Sequence, residues 1–330
     1  VVSTALTTTP IYIRGYGLMD IDGIELETGK CNVTNTTVID QPSPELSYVE
    51  VTCVIDEVPV NGGSLYGTAL KTYLSKPLNS IPEVVMLVKP YLDKNEAFEA
   101  YANPGSTITL TGYSFGPLES VVVNFEDYDG LPFTCVPISL SNDGQTLVCN
   151  ISETAPPITA GPAKAFITAG NQTAQNSTKE TVARIRPYAY VSTAVVPGAP
   201  DMLFTVTGYG FGKTSSDIDV EDLVDSKDTV FTCTPTNLAS NGTSFDCAIE
   251  LPANEPLVAG PFFGRVKRTP SLPGGGVEFG EIIQLGVLAP YIIEDEDQEI
   301  GSLPGESITI RGYTWDKHTN LDNWFVELDD

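Results

Sequence analysis

Histidine and basic residues are scarce in this sequence. It has one histidine, His318, and 17 lysines and arginines against 43 aspartates and glutamates, so its net charge is −26. A single histidine excludes a multi-histidine metal site and argues against a nucleophile activated by a histidine base. A polyanion also repels phosphate backbones and anionic lipid head groups, which argues against nucleic acid as a partner. We therefore expect no enzymatic activity and, calcium aside, no cofactor.

Long apolar runs are missing as well. The densest, residues 84–88, is stopped by Pro82 and Pro90, far short of the roughly 18 residues that a membrane helix needs. The 29 glycines and 25 prolines would interrupt long helices, whereas a hydrophobic content of 41% suffices for ordered cores. These features predict an all-β protein with no direct membrane insertion in this segment.

A Gly-Tyr pair recurs in steps of 97, 96 and 104 residues, with its glycine at Gly15, Gly112, Gly208 and Gly312. In each copy the residues two and four before the glycine are apolar, which indicates a strand that runs into a turn. A second repeated pair, Pro-Tyr, begins at Pro90, Pro187 and Pro290. We take these positions as the boundaries between modules and call them seams. The two markers predict modules at 1–91, 92–188 and 189–291 and a partial module at 292–330.

Proline at each seam restricts the preceding residue to extended conformations and stiffens the connection, so we expect the modules to form an elongated, semi-rigid rod. The last predicted module is incomplete, and half a β-sandwich would expose strand edges and a divided core. Two explanations stay open. Either the sequence is a window on a longer tandem array, or another chain completes the half module.

Six cysteines follow the same repeat and predict three disulfides within modules, which are Cys31–Cys53, Cys135–Cys149 and Cys233–Cys247. The second cysteine of each pair lies 37 to 39 residues after its Gly-Tyr glycine and alternates with apolar residues, which places it in a core. Asp143-Gly144 and Asn241-Gly242 predict hairpins across which the cysteines face one another. Closing a loop of 15 residues stabilises by roughly 3 kcal/mol. Three such pairs imply an oxidising compartment, and metal binding or redox catalysis is the alternative.

Asparagine-linked glycosylation is predicted by sequons that begin at Asn32, Asn35, Asn150, Asn171, Asn176 and Asn241. Several of them lie beside predicted turns or cysteines, where an attached glycan would be solvated. The alternative is that these are ordinary turn asparagines.

The segments Gly112-Tyr113-Ser114-Phe115-Gly116 and Gly208-Tyr209-Gly210-Phe211-Gly212, each followed by a local cysteine pair, resemble the IPT/TIG module. The first copy departs from this motif at Leu18-Met19, and the fourth reads Thr314-Trp315 after Gly-Tyr. The resemblance covers essentially the whole chain and implies tandem immunoglobulin-like β-sandwiches without catalytic residues. Intracellular modules of this type serve dimerisation and DNA contacts but lack such disulfides and acidity. Extracellular ones act as spacers and binding surfaces.

These observations predict an extracellular or cell-surface structural glycoprotein. Its tandem modules would form or support a surface fibre, appendage or adhesion stalk, and self-association or contact with neighbouring modules of the same protein is expected. The alternative is the ectodomain of a cell-surface receptor or adhesion protein that binds a specific protein partner.

Clustered carboxylates are the candidates for a metal site. The calcium candidate is the run Glu294, Asp295, Glu296 and Asp297 just past a seam, because hard oxygen ligands near a domain joint could hold calcium. Two further clusters comprise Asp217, Asp219, Glu221 and Asp222, and Glu126, Asp127 and Asp129. None has the spacing of an EF-hand, and a solvated acidic surface is the alternative. Paired carboxylates also suggest glycoside hydrolysis, but small tandem sandwiches offer no obvious cleft for a sugar ring.

Repeated aromatic residues are expected to pack within each module, namely Tyr16, Tyr113, Tyr209 and Tyr313. The apolar run Pro261-Phe262-Phe263 is either an interface or an ordinary buried strand.

Overall fold

The computed structural model describes residues 2–3, 10–39, 48–94, 98–152, 157–174, 181–252, 256–270, 276–293 and 310–314. They form 29 β-strands and two single-turn 3-10 helices, Leu118–Ser120 and Ser215–Asp217, and no α-helix occurs among them. Within these ranges there is no helix of the length and hydropathy that a membrane span requires. The prediction of an all-β protein is confirmed.

The first nine strands form the part of the chain that we call repeat 1. They are β1 (Val2–Ser3), β2 (Pro10–Gly15), β3 (Gly23–Leu26), β4 (Gly29–Ile39), β5 (Tyr48–Ile55), β6 (Gly63–Leu70), β7 (Thr72–Tyr73), β8 (Lys76–Pro77) and β9 (Glu83–Val88). Seven of them form one sheet in the order β1-β9-β6-β3-β4-β5-β2, and β7 pairs with β8 as a separate hairpin. Alternate residues of β5 are buried against a core that includes Ile11, Leu26 and Val51.

The next nine strands, repeat 2, are β10 (Tyr91–Leu92), β11 (Glu99–Tyr101), β12 (Thr107–Tyr113), β13 (Val122–Glu126), β14 (Pro132–Leu140), β15 (Thr146–Ile151), β16 (Gly161–Ala169), β17 (Gln172–Thr173) and β18 (Thr181–Arg186). Their order is β10-β12-β15-β14-β13-β16-β18-β11, and β17 pairs with β16.

Repeat 3 contains β19 (Tyr188–Ala189), β20 (Val195–Pro197), β21 (Leu203–Tyr209), β22 (Ile218–Val224), β23 (Thr232–Thr236), β24 (Ser244–Glu250), β25 (Gly260–Arg268), β26 (Glu278–Phe279) and β27 (Ile283–Ala289). One sheet has the order β19-β21-β24-β23, and the other has the order β20-β27-β25-β22 with β26 beside β25. Phe204, Phe211, Phe245 and Phe262 belong to the apolar core of this repeat. The last strands, β28 (Tyr291–Ile292) and β29 (Gly312–Tyr313), pair with each other.

The three repeats share one strand order. With the strand letters of the immunoglobulin fold, the sheet β19-β21-β24-β23 of repeat 3 is A-B-E-D, and the sheet β20-β27-β25-β22 is A′-G-F-C. This is the order of a constant-type domain whose first strand is split into A and A′. Repeat 2 has the same order, but its C and D strands also pair, so the two sheets are continuous. The sheet of repeat 1 has the order A′-G-F-C-D-E-B, which agrees with the other two repeats. No A strand occurs among the residues described for repeat 1. Each repeat is therefore an immunoglobulin-like β-sandwich.

The chain divides into two compact units. Unit 1 comprises Val1–Ala100, Pro104–Pro156 and Pro162–Arg184, and unit 2 comprises Tyr101–Asn103, Pro157–Gly161 and Ile185–Asp330.

Each repeat carries one disulfide between its D and E strands, and the pairs are Cys31–Cys53, Cys135–Cys149 and Cys233–Cys247. The predicted disulfides are confirmed, and all six cysteines are buried. The cysteines do not face one another directly. Cys135 lies opposite Ile151, whereas Cys149 lies opposite Pro137, so the bridge joins diagonal positions. The same offset occurs in the other two repeats.

The predicted hairpins after β14 and β23 are also present. Gly144 and Gly242 adopt φ values of 68° and 67°, and their N–H groups donate to the carbonyls of Ser141 and Ala239 at 2.9 and 2.8 Å. Each glycine therefore ends a four-residue turn in a conformation that few other residues adopt without strain.

Candidate functional site at the Gly-Tyr turns

The B strand of each repeat, and β29 likewise, leads into a turn of the same backbone geometry. We call these the Gly-Tyr turns, comprising residues 15–19, 112–116, 208–212 and 312–314. Their third residues have positive φ values of 68°, 61°, 88° and 59° at Gly17, Ser114, Gly210 and Thr314, respectively. Sequence reasoning missed this shared conformation because the residue type at that position varies.

The strands at the Pro-Tyr seams explain why the residue before each Gly-Tyr tyrosine is a glycine. Each seam tyrosine lies opposite the Gly-Tyr tyrosine in an antiparallel strand pair, in the pairs Tyr91–Tyr113, Tyr188–Tyr209 and Tyr291–Tyr313. A Cβ atom on Gly112 or Gly208 would collide with the carbonyl oxygen of the seam tyrosine beside it. The two sequence markers are therefore the two sides of one strand pair.

The repeated tyrosines pack as expected in three of the four turns. Ring centroids of Tyr91 and Tyr113 are 6.3 Å apart, and Tyr209 lies 6.0 Å from Tyr190. Tyr313 stacks on Tyr291 at 6.4 Å. The prediction is wrong for Tyr16, which is 68% exposed just after β2, the edge strand of its sheet among the described residues.

A short segment follows each E strand, and the first two of these segments contact Gly-Tyr turns. We call these segments the docking loops, comprising residues 58–62, Pro157–Gly161 and 256–260. Within unit 1, the Ser114 hydroxyl donates to the carbonyl of Pro59 at 2.6 Å. The N–H of Gly116 donates to the carbonyl of Val60, and the N–H of Gly62 donates to the carbonyl of Gly116, both at 3.0 Å. The first docking loop is thus fixed to the second Gly-Tyr turn, which is buried.

Within unit 2, the second docking loop contacts the third Gly-Tyr turn. Thr159 forms a parallel bridge with Gly210, and the N–H of Ala160 donates to the carbonyl of Gly210 at 3.1 Å. Thr159 and Ala160 are both buried. Gly210 is the third residue of its turn. In unit 1 the corresponding parallel β-bridge joins Asn61 to Gly116, which is the fifth residue of its turn.

A buried arginine holds the second docking loop. Arg268, at the end of β25, is 2% exposed, and its guanidinium donates to the carbonyl oxygen of Ala160. Its Nη2 lies 3.5 Å from a carboxylate oxygen of Asp217, and Glu278, also buried, is its neighbour on the ladder. Burying these charges is tolerable because they are paired. The sequence placed Asp217 in an acidic surface cluster and did not reveal this ion pair.

The other members of the cluster at 217–222 have structural partners. Asp219 and Glu221 on β22 lie 3.8 and 2.5 Å from the ammonium of Lys267, and the hydrogen bond with Glu221 raises the pKa of Lys267. Asp222 pairs with Arg265 at 2.8 Å. These are pairs across the C and F strands, whose contribution to stability is small at partly exposed positions.

Asp127 and Asp225 are buried in equivalent loops that join the C and D strands. The Asp225 carboxylate accepts backbone N–H groups of Lys227, Thr229 and Val258 at 2.8 to 2.9 Å, and Asp127 accepts that of Leu131 at 2.8 Å. The calcium candidate Glu294, Asp295, Glu296 and Asp297 lies outside the described residues. Inside them, no group of three or more His, Cys, Asp or Glu residues is placed to hold a metal ion.

The predicted glycosylation sites differ in accessibility. Four of them are exposed, namely Asn32, Asn35, Asn171 and Asn241, and Asn176 lies outside the described residues. Asn150 is partly buried, and its side-chain oxygen accepts the hydroxyl of Thr107 at 3.1 Å. In the apolar run of β25, Phe262 belongs to the core and Phe263 points outward, as in an ordinary strand.

No protein-family model matches the sequence, and no curated protein matches it either. Among solved structures, the chain is similar to the D1–D4 ectodomain fragment of ICAM-5, with 13% identity over 88% of this chain and 77% of that chain and a TM-score of 0.23. A marsupial T cell receptor gives 10% identity, 86% and 98% coverage and a TM-score of 0.25. Mouse cadherin-23 EC22-24 gives 14% identity, 87% and 93% coverage and a TM-score of 0.19. Similarities of this size carry no argument about function.

Proposed function

We propose that this chain is an extracellular structural glycoprotein of the tandem IPT/TIG type, whose modules form or support a surface fibre, appendage or adhesion stalk. The observation that carries the proposal is the buried D–E disulfide, present at the same diagonal register in three successive immunoglobulin-like repeats. Such bridges persist in oxidising compartments. A small sandwich with its own bridge is a unit that can be repeated to set length.

The contact within unit 1 supports a structural role. The docking loop of repeat 1 and the Gly-Tyr turn of repeat 2 exchange three hydrogen bonds through Pro59, Val60 and Gly62. Two of these bonds are between backbone groups. Successive repeats linked in this way resist bending more than repeats joined by a flexible linker.

Native material from the organism tests this proposal. Antibodies against the chain should label the outer cell surface or an appendage of unpermeabilised cells. Peptide mapping without reductant should recover the three cross-linked cysteine pairs. Labelling confined to the cell interior, together with free thiols at all six cysteines, would overturn the proposal.

One observation favours a second function, that of a receptor or adhesion ectodomain. The β7–β8 hairpin of repeat 1 projects apolar side chains into solvent, with Tyr73, Leu74, Leu78 and Ile81 all exposed. Leu74, 80% exposed, has a φ of 48°, which is unusual for a bulky residue. An exposed apolar patch of this kind is typical of a protein-binding site. Saturable one-to-one binding of a surface protein, lost in Leu74→Asp, would support this function over the first.

A further inference from the structure

The first docking loop contains a reactive pair of residues, Asn61 followed by Gly62. Asparagine loses its side-chain ammonia most readily before glycine, because glycine leaves the next backbone nitrogen free to approach the side-chain amide. The chain has one other such pair, Asn241-Gly242 in the D–E turn of repeat 3. The pair in the docking loop differs from it, because Asn61 lies in the contact between repeats 1 and 2.

The reaction needs only water. The nitrogen of Gly62 bonds to Cγ of Asn61 and gives up its proton, and ammonia leaves Cγ, which closes a cyclic imide. Hydrolysis opens the ring at one of its two carbonyls and leaves either an aspartyl or an isoaspartyl residue. In sum one water is consumed and one ammonia is released, without oxidation or reduction. In the isoaspartyl product the main chain runs through the side-chain carbons and is longer by one methylene.

In the docked loop the attacking nitrogen is held away from this reaction. The N–H of Gly62 donates to the carbonyl of Gly116 at 3.0 Å, and Asn61 forms a parallel bridge with the same residue. Attack requires the peptide group between Asn61 and Gly62 to rotate and to lose its proton, and the hydrogen bond opposes both. The Asn61 side chain is exposed, so its protection comes from this backbone contact and not from burial.

Three turns of repeat 2 enclose the first docking loop within unit 1. In the Gly-Tyr turn, the carbonyl oxygen of Ser114 would lie 3.0 Å from a Cβ on Gly62. In the D–E turn, a Cβ on Gly144 would lie 2.5 Å from the carbonyl oxygen of Val60. In the turn after the F strand, a Cβ on Gly170 would collide with the carbonyl oxygen of Gly62. The peptide group that follows Asn61 therefore has no room to rotate until repeats 1 and 2 separate at this contact.

The product of the reaction does not fit the same contact. Two hydrogen bonds flank Asn61, and both involve Gly116, whose N–H donates to the carbonyl of Val60 and whose carbonyl accepts the N–H of Gly62, each at 3.0 Å. An isoaspartyl residue adds a methylene between these two points, so both bonds cannot form at their present spacing. Its carboxylate also adds a negative charge to a chain whose net charge is already −26.

We propose that Asn61-Gly62 is a self-modification site guarded by the contact between repeats 1 and 2. Asn61 deamidates when the docking loop leaves the second Gly-Tyr turn, and the isoaspartyl product then prevents the loop from docking again. The inference goes beyond a structural role, since it makes the contact a record of past opening. It depends on contacts within unit 1 and not on where the protein is located.

Peptide mapping and hydrogen exchange of the full 330-residue chain test the proposal. Production in a bacterial periplasm lets the disulfides form and leaves the sequons unmodified. Deamidation of Asn61 in the native chain should be at least about tenfold slower than in the urea-unfolded chain. Ser114→Ala removes the hydrogen bond to Pro59 and should raise both the native deamidation rate and the exchange rate of the Gly62 amide about fivefold.

Two controls separate opening of the contact from other effects. Ser139→Ala, at an exposed position of β14, should leave both rates at their wild-type values. Asn241 serves as an internal reference, because the N–H of Gly242 donates within its own turn, to Ala239 at 2.8 Å. Its deamidation rate should be the same in wild type and Ser114→Ala. Urea at concentrations below the unfolding transition opens the contact without a substitution and should raise both rates at the docking loop together.

Three results would overturn the proposal. The first is native deamidation of Asn61 as fast as in the unfolded chain. The second is a deamidation rate that does not follow the exchange rate of the Gly62 amide across wild type, Ser114→Ala and low urea. The third is equal exchange of the Gly116 amide in isoaspartyl and unmodified chains, where at least about fivefold faster exchange is expected after modification. All three leave surface location and disulfides untouched, so failure of this inference is distinct from failure of the proposed function.

Discussion

The carbonyl oxygen of Tyr91 fills the space that a Cβ atom on Gly112 would need, and Tyr188 stands in the same relation to Gly208. Two short sequence markers about twenty residues apart are thereby joined in one strand pair. At Gly112 and Gly208 a glycine is required because the neighbouring backbone leaves no room for a side chain, and not because of the φ of the glycine itself. This explains why the glycine recurs in each Gly-Tyr pair although the following residues of the turn vary.

Replacing Gly112 by alanine should destabilise repeat 2 by about 1–3 kcal/mol, because the backbone of β10 has to move to admit the methyl group. Hydrogen exchange should show weaker protection of the amides in β12. Gly23→Ala is the matched control, since no atom lies within 4 Å of its added Cβ and its φ is not positive. Equal stability of the two variants would contradict the role assigned to the Tyr91–Gly112 contact.

Removing a disulfide should cost more than any surface change. The double variant Cys135→Ala/Cys149→Ala should lose roughly 3 kcal/mol of unfolding free energy from repeat 2, measured by urea denaturation. The pair Cys31 and Cys53 closes a longer loop, with a sequence separation of 22 against 14, so its removal should cost a few tenths of a kcal/mol more. A loss below about 1 kcal/mol would show that the bridges do little for folding.

Glycan occupancy should follow exposure. Asn171 and Asn241 lie at hairpin tips, and we expect both to be occupied in native material. Asn150, whose side chain is held by Thr107 within the B–E strand pair, should be unmodified. Glycopeptide mass spectrometry after enzymatic release in heavy-oxygen water measures each site. High occupancy at Asn150 with empty hairpin tips would contradict this order.

Because Arg268 and Asp217 form an ion pair, we expect that the effects of replacing the two residues on the free energy of unfolding are not additive. Asp217→Ala leaves a buried cation with less compensation and should cost about 3–5 kcal/mol. Arg268→Met removes that cation, so the double variant should be more stable than Asp217→Ala alone. Denaturation of wild type, both single variants and the double variant completes the cycle. Strict additivity would mean that the two side chains do not interact.

Acid should weaken the D–E hairpin of repeat 3 through Glu250. Hydrogen bonds from Thr234 and Thr232 lower the pKa of Glu250 from its ordinary value of 4.5. A carboxylate whose pKa is lower in the folded state stabilises that state above the unfolded pKa, and this stabilisation is lost as pH falls through the folded pKa. The fall in urea midpoint on acidification should therefore be smaller in Glu250→Gln than in wild type.

The sequence predicted those features that rest on residues close along the chain. Period-2 alternation around Cys53, Cys149 and Cys247 placed the E strands and their bridges, because a strand with one buried face imposes that alternation. The diagonal offset of the bridges was not predictable, since it depends on how the two strands pair.

Contacts between distant residues escaped sequence reasoning. The ion pair of Arg268 with Asp217 joins β25 to the 3-10 helix Ser215–Asp217, and these two elements meet only after folding. Nothing in the sequence distinguishes Asp225 from a surface acid, because its hydrogen bonds depend on the conformation of its loop. The docking loops left a usable signal, because Ala160-Gly161-Pro162 recurs as Ala259-Gly260-Pro261. The first loop lacks that signal, since the corresponding residues around Gly63 contain no Ala-Gly-Pro.

The position of the disulfides sets how a repeat would respond to a pulling force. Val2 pairs in parallel with Leu87, and Val195 pairs in parallel with Val287, so in repeats 1 and 3 the A′ strand lies beside the last strand, G. Tension applied to both ends of such a repeat loads this pair in shear, while the D–E bridge lies away from the line of force. Once the parallel pair ruptures, the repeat lengthens by about 3.3–3.6 Å for each residue released, and only the short cysteine-enclosed loop stays locked.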